Sequence, residues 1–505
     1  MKTQGVVRKY SRPFEWDYLE KTSDPFLICI PVLLLLIVTL PYTASGYWED
    51  EIFSITTSRS WSSMFGIFRD YETNMSLYYV ILHEWMKVFG ESEIATHSLS
   101  LLFSLLTIPV FFRLERTWLN KSTSLIGGLL LAANPLFVYY AVESRSYSLL
   151  VLSATVSTLI FVRLVRKPGY LLAICYGLSI AAGTYIHYFG ILLLLVHALT
   201  ISRKNLTRMH LESFFLSCMV ILLGIFPLFL FQPRNKSQID WISKPELKNL
   251  GFTIKDLFGG GWVISILIIC LIFVARRAYW KYVADARDFL PRLSVVWTIL
   301  PASLLFLFSY LVKPVYHTRF FVWCLPGAVL LTCLIVGYTG WDHIRKSVVW
   351  FLLLCLLLIR SYGTLRTKGS GYKEAVQYLN EYIQPGESVL TYPYYKSIHT
   401  TFYLDKMRSP KSYARPLAIT RLPYLPGGGG RDPDPDMEIL RKVAADNGKV
   451  YLICGESGEP TNAEDIQNRT WLPEIQKILF NKHPKQFEKI FGVGSKEPIR
   501  VIIYE

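Results

Sequence analysis

Eleven stretches of this chain are almost wholly apolar, at roughly 25–41, 95–112, 122–139, 147–162, 169–186, 189–202, 213–231, 261–275, 293–312, 319–338 and 347–360. A run of about 20 such residues can cross a bilayer as a helix, because a helix satisfies its own backbone N–H and C=O groups where lipid offers no partner. The runs predict a polytopic α-helical membrane protein with about eleven transmembrane helices. Composition agrees. Of the residues 52% are hydrophobic and only 18% charged, with a mean hydropathy of +0.31, which excludes an ordinary soluble enzyme.

The formal net charge is +15. In a soluble protein that excess would suggest nucleic acid, but here much of it sits in short connections between apolar runs, and no nucleic-acid-binding module stands out. Alternate connections hold Arg8, Lys9, Arg12 and Lys21; Arg113, Arg116 and Lys121; Arg163, Arg166 and Lys167; Arg203, Lys204 and Arg208; Arg276 and Arg277; and Arg345 and Lys346. The opposite set is about half as basic, so the positive-inside rule puts the N-terminus in the cytoplasm. With an odd number of spans, the first outer loop, 42–94, and everything after residue 361 fall on the outer, periplasmic side of the plasma (inner) membrane. The eight cysteines are scattered, with no CxxC pair or Cys/His cluster, so neither a disulfide framework nor a zinc site is expected.

Two domains follow: a transmembrane module over 1–361 and a small α/β domain over 362–505. Within the loop 42–94, Leu77, Val80, Ile81, Trp85, Val88 and Phe89 recur at helical spacing. Such a helix lies along the interface with its apolar face to lipid, or packs on the bundle. After 362 the pattern predicts an amphipathic helix ending at Pro385-Gly386, a strand, helical residues 396–404, a Gly/Pro/Asp loop at 426–436, a helix near 436–446, and strands at 449–454, 487–492 and 499–504.

The chemistry-bearing residues sit at the outer ends of these runs. "GYWEDEIF" (46–53) places Glu49, Asp50 and Glu51 in succession directly after the first run. A solvated loop accounts for an isolated acidic triplet. The alternative is that one of Asp50 and Glu51, kept partly out of water, acts as general base toward a hydroxyl, while the other orients substrate, binds a metal or caps a helix. In "AVESRSYSLL" (141–150), Arg145 at the membrane surface needs an anionic partner. Glu143 in an ion pair is one; a lipid-linked phosphate, matched by the guanidinium fork, is the other. "TYIHYFG" (184–190) brings His187 and Tyr188 to the same face, and "PVYHTRFFVWCLP" (314–326) brings Tyr316, His317 and Arg319. A structural histidine or a snorkelling arginine explains each alone. Their convergence from separate segments on one face suggests transfer of a sugar from a membrane-anchored phosphate. That leaving group needs cations rather than a general acid, and a single base suffices, where a glycosidase would need two facing carboxyls.

Four stretches together resemble the GT-C superfamily of membrane glycosyltransferases, especially the bacterial relatives of protein O-mannosyltransferases and lipid A aminoarabinose transferases. They are Asp50-Glu51, "LYYVILHEWMKVFGESE" (77–93), "ESRSYSLL" (143–150) and "HTRFFVWCLP" (317–326). The likeness extends over most of 25–345, and "YKEAVQYLNEYIQPGESVL" (372–390) is similar to the start of the outer domain in such enzymes. The resemblance implies Asp50 as the base, a polyprenyl-phosphate sugar as donor, and inversion at the anomeric carbon. It leaves a divalent cation (Mg or Mn) open, with Asp50 and Glu51 as its ligands if one binds. The chain departs from the family pattern at Thr73-Asn74-Met75-Ser76, where relatives carry His and Pro. It departs again at His97 and at Arg145-Ser146-Tyr147, where Arg and Arg-Pro-Tyr are common.

The expected protein is thus a glycosyltransferase moving a hexosyl or pentosyl group from a polyprenyl-phosphate donor to a hydroxyl of a glycan, lipid or protein at the outer membrane face. Asp50 would be the base and Glu51 would orient the acceptor or a metal. Arg145, Tyr147, His187, Tyr188, Tyr316, His317 and Arg319, supported by Glu143, would hold the donor phosphate. A transporter or flippase of a lipid-linked sugar is the competing class. It would show inverted repeats and midplane charges, whereas here the ionisable groups gather at the outer interface.

Overall fold

The computed structural model describes residues 21–201, 206–231, 242–285, 289–337, 339, 341–384, 387–392, 396–407, 417–418, 437–445, 448–455, 475–481, 485–493 and 498–504. The Gly/Pro/Asp loop at 426–436 and the basic residues before Lys21 lie outside them. The chain divides into two compact units. One takes the described residues of Met1–Thr43, Thr57–Lys236 and Ile242–Leu365; the other takes Ala44–Thr56 and the described residues from Arg366 onward.

In the first unit every apolar run is helical, but about eleven straight spans was too simple an expectation. Seven helices are long and apolar enough to cross a membrane: Asp24–Tyr42, Glu93–Glu115, Tyr147–Arg166, Arg208–Leu230, Leu290–Leu311, Thr318–Gly337 and His343–Arg366. Two further runs are bent pairs, Lys121–Ala132 with Pro135–Ala141 at 62° and Leu247–Leu257 with Trp262–Val274 at 83°. Counting each pair as one span gives up to nine among the described residues, and the helices Tyr170–Ile186 and Tyr188–Thr200 are shorter still. Thr318–Gly337 is 89% buried and lies at the centre of the unit, whereas Arg208–Leu230 is 17% buried and presents Leu222, Leu223, Phe226 and Phe229 outward. A helix apolar on all sides with most of its surface open fits a lipid surround.

Both bends have local causes. Pro135 cannot donate to the preceding turn, and Asn134 caps the new helix, its Oδ1 accepting from the Leu136 and Phe137 amides at 2.9 and 3.3 Å. At the other bend Gly259 and Gly260 take φ of +111° and +74°, a region open to glycine but strained for other residues. Asn134 also links the two breaks, its Nδ2 donating to the Leu257 carbonyl at 3.1 Å, and Ser361 Oγ, from the helix His343–Arg366, donates to the Ala133 carbonyl at 2.7 Å. Elsewhere, Thr107, Thr155, Thr158 and Thr332 return their hydroxyls to the carbonyl four residues back, so they sit in the bundle without an orphaned donor. The loop helix Ser76–Phe89 buries Tyr78, Tyr79, Leu82 and His83 and exposes Val88 and Phe89, so it packs on one face and is open on the other.

The second unit is built on a five-stranded sheet: β1 (Ser388–Tyr392), β2 (Leu417–Ala418), β3 (Val450–Gly455), β4 (Lys485–Phe491) and β5 (Ile499–Tyr504), in the order β2-β1-β3-β5-β4. β1 pairs in parallel with β2 and β3; β5 pairs antiparallel with β3 and β4. Leu390, Tyr392, Leu452, Cys454, Ile502 and Tyr504 form its core with Leu440 and Val443 from the helix Met437–Ala445. β1, β3, β4 and β5 appear within a few residues of their expected places, because short β-rich runs between helical patterns are readable from sequence; the two-residue β2 was not expected.

Replacing Asn134 by Ala removes two cap bonds and the bond across the breaks. It is expected to cost about 2 kcal/mol of stability in detergent denaturation, against about 1 kcal/mol for Ser361→Ala, which removes a single bond.

Candidate active site

Three interruptions of helix in the first unit carry the candidate residues. The first is the turn 142–146 between Pro135–Ala141 and Tyr147–Arg166. It folds back tightly, the Arg145 amide donating to the Glu143 carbonyl at 2.7 Å, and is held by hydroxyls of the helix Glu93–Glu115. Ser100 Oγ donates to the Glu143 carbonyl at 2.5 Å, Ser144 Oγ to Thr96 Oγ1 at 2.9 Å, and Ser104 Oγ to Ser148 Oγ at 3.1 Å. Thr96, Ser100 and Ser104 are four residues apart, so they form one stripe on that helix. The turn buries Glu143, Arg145 and Tyr147 almost completely.

The second interruption is His187, between Tyr170–Ile186 and the 3-10 turn Tyr188–Ile191. Its Nδ1 accepts from the Phe189 amide at 3.3 Å, which assigns the proton to Nε2. Among the described residues nothing accepts from that Nε2, although the side chain is 2% exposed. The third is the segment before and through the 3-10 helix Thr318–Cys324. His317 Nδ1 accepts from the Arg319 amide at 3.4 Å, and Tyr316 donates its hydroxyl to Thr253 Oγ1 at 2.7 Å. Burial pushes the Tyr316 phenol up to about 12, so it stays a neutral donor.

Aromatic rings join the three. Tyr147 lies 4.6 Å from Tyr140 and 6.4 Å from His187, ring centre to ring centre. His187 and His317 both face Phe320, at 5.1 and 5.7 Å, and the Arg319 guanidinium lies 5.8 Å from the same ring. Burial, then the positive charges of Arg145 and Arg319, push the His187 imidazole down to about 3. It is therefore a neutral N–H donor within reach of the charges of Arg145 and Arg319, an arrangement that suits an anion.

The structure thus brings Arg145, Tyr147, His187, His317 and Arg319 into one cluster, with Glu143 and Tyr316 at its edges. Tyr188 stands beside it, 39% exposed, its hydroxyl bonded to Thr73 Oγ1 and its amide donating to Asn74 Oδ1 at 3.0 Å. Those partners lie in the stretch that departs from the family pattern, where Met75 takes a left-handed φ of 63°. His97, another departure, is buried and donates from Nδ1 to the Thr43 carbonyl at 2.7 Å.

Asp50 and Glu51 belong to the second unit, in the first turn of the helix Glu49–Ser58. Glu51, 1% exposed, accepts the Trp48 amide on Oε2 at 3.2 Å, the reach-back of a glutamate at the third helical position. Asp50 is half-buried at the helix N-terminus, where the aligned peptide dipoles favour a carboxylate. Among the described residues no group of three or more His, Cys, Asp or Glu side chains is placed to hold a metal ion.

Comparison with known proteins bears on the whole arrangement. The family model for dolichyl-phosphate-mannose-protein mannosyltransferase matches residues 77–231. A search of curated proteins returned no match. Among solved structures, ArnT from Cupriavidus metallidurans in the apo state superposes with a TM-score of 0.58 at 11% identity, over 95% of this chain and 97% of that one. The same protein bound to undecaprenyl phosphate gives 0.56 at 12% identity, over the same shares. The Archaeoglobus fulgidus oligosaccharyltransferase in complex with Zn and sulfate gives 0.51 at 12% identity, over 85% of this chain and 68% of that one. The chain has the GT-C fold of membrane glycosyltransferases.

Within this fold, sequence reading missed the Thr96–Ser100–Ser104 stripe that holds the arginine turn. Hydroxyls four residues apart on a spanning helix were the signal for it, but spacing alone does not say what they face. The His187 environment yields a pH prediction. A folded-state pKa near 3, below the ordinary 6.5, means the unfolded chain binds the extra proton between those values. The stability that wild type holds relative to His187→Gln should be constant above pH 6.5 and shrink as pH falls toward 3. Thermal melts of both proteins across that range measure it.

Proposed function

We propose that the protein is a membrane glycosyltransferase that takes a sugar from a polyprenyl-phosphate donor and passes it to an acceptor hydroxyl at the outer face, with its N-terminus in the cytoplasm. One observation carries the reading. The charges of Arg145 and Arg319 act on a buried, neutral His187 whose Nε2–H has no acceptor among the described residues, in a fold shared with a protein crystallised with undecaprenyl phosphate.

The chemistry follows from that inventory. Asp50 takes the proton of the acceptor hydroxyl as its oxygen attacks the anomeric carbon from the face opposite the phosphate. The new C–O bond forms as the bond to the phosphate oxygen breaks, and the configuration inverts. The departing polyprenyl phosphate gains a negative charge. Arg145 and Arg319 stabilise it and His187 donates to it, so the leaving group needs no proton. Glu51 fixes the helix start that carries Asp50 and so orients the base. Tyr147 and His317 line the phosphate site through their ring contacts. A divalent cation (Mg or Mn), if one binds, would be held by Asp50 and Glu51 and would help orient the acceptor hydroxyl. The acceptor, whether glycan, lipid or protein, would enter beside Tyr188 and the Thr73–Asn74 loop.

The test is purified protein in lipid with a panel of radiolabelled polyprenyl-phosphate sugars and a cellular lipid extract as acceptor source. Asp50→Asn should lower turnover by about 10² to 10⁴-fold while donor binding persists. Arg145→Ala and Arg319→Ala should each weaken binding of undecaprenyl phosphate by at least about tenfold. Donor binding without consumption under every acceptor condition would favour a flippase instead.

A further inference from the structure

The segment that leads into the acidic helix is built into the second unit. Tyr47 is fully buried there. Its amide donates to the Tyr403 hydroxyl at 2.7 Å, and its carbonyl accepts from Ser370 Oγ at 2.5 Å. Its ring lies 6.4 Å from Tyr403, stacked, and 5.9 Å from Phe402, edge-on, with the Lys406 ammonium 4.9 Å from its centre. Gly46 passes so close that a Cβ there would stand 3.1 Å from the Ser370 carbonyl. The clamp is itself braced: Tyr372 stacks on His399 at 4.1 Å, both fully buried, and a Cβ on Gly371 would strike the Phe491 carbonyl at 2.4 Å.

Both backbone polar groups of Tyr47 are therefore satisfied by side chains more than 300 residues away in sequence, on the helix Lys396–Lys406 and the turn before Tyr372–Tyr382. Trp48, next in the chain, begins the helix whose first turn holds Asp50 and Glu51. A helix start fixed at the residue before it has little freedom in the direction of its first turn. We propose that Tyr403 and Ser370 are positioning residues for the transferase reaction: the C-terminal domain clamps Tyr47 and thereby holds the Asp50 carboxylate in its working orientation. This rests on the function proposed above and gives the domain a catalytic purpose.

Two variants of the full chain in lipid nanodiscs test the clamp. Tyr403→Phe keeps the ring and removes the acceptor of the Tyr47 amide; Ser370→Ala removes the donor to its carbonyl. Hydrogen–deuterium exchange of the peptide spanning Ser45–Phe53 should speed up in both, while exchange over Tyr139–Leu150 stays as in wild type. With the donor that wild type consumes, kcat should fall by at least about tenfold and the donor KM should stay within about twofold, because base alignment is lost and phosphate binding is not. A structural role alone would instead lower the yield of folded protein and leave kcat per folded molecule intact. If one variant does not fold, the other carries the test. Unchanged exchange in the folded variants overturns the clamp, and so does faster exchange with unchanged kcat. A wild type that consumes no donor sinks the transferase reading separately, and the clamp is then judged by exchange alone.

Discussion

Each candidate group of this protein sits where a helix stops or starts, and inside a membrane bundle a helix can stop only where other protein atoms take over its hydrogen bonds. That constraint shapes the first unit. Asn134 and Ser361 accommodate two breaks at once. The stripe Thr96–Ser100–Ser104 accommodates the turn at Arg145, and the His187 ring accepts the amide that follows its own helix. The same substitutions of side chain for backbone aim guanidinium and imidazole groups away from lipid, so irregular backbone and anion site have a common origin.

The electrostatics of the site follow from burial. A histidine near two arginines would lose a proton even in water; removed from water it is neutral throughout the physiological range. Neutrality makes it a hydrogen-bond donor rather than a third cation. Charge and donor are thereby divided between residue types, guanidinium groups carrying the positive charge and His187 offering a directed N–H. The carboxylates are placed differently. Asp50 lies in the first turn of its helix, while its neighbour Glu51 is occupied with the Trp48 amide.

Much of this was legible in the chain itself. The apolar runs marked the long helices of the membrane unit, since hydropathy is a local property summed over neighbours, but not Trp61–Asp70 or Leu247–Leu257, which lie outside every run. They did not reveal that Lys121–Ala132 ends in a bend, even though Pro135 stands at the break, because a proline in an apolar run is also compatible with a straight span whose neighbours supply the missing bonds. Arg145, His187 and Arg319 were recognisable as out of place in apolar surroundings. That Phe320 stands between His187, His317 and Arg319 was not, since ring contacts carry no periodicity.

Sequence by itself determined the class of protein, the location of its helices and strands, and the residue types available for chemistry. Those depend on the solvent each stretch can tolerate, which a residue and its near neighbours decide. Tertiary structure decided which of those residues act together. It grouped the cations of two helix interruptions with the imidazole of a third, and it attached the acidic helix start to Tyr403 and Ser370, which lie far along the chain. Such pairings depend on hydrogen bonds and ring contacts that act over a few ångströms in space, and no local pattern along a chain encodes which distant segment will come within that distance.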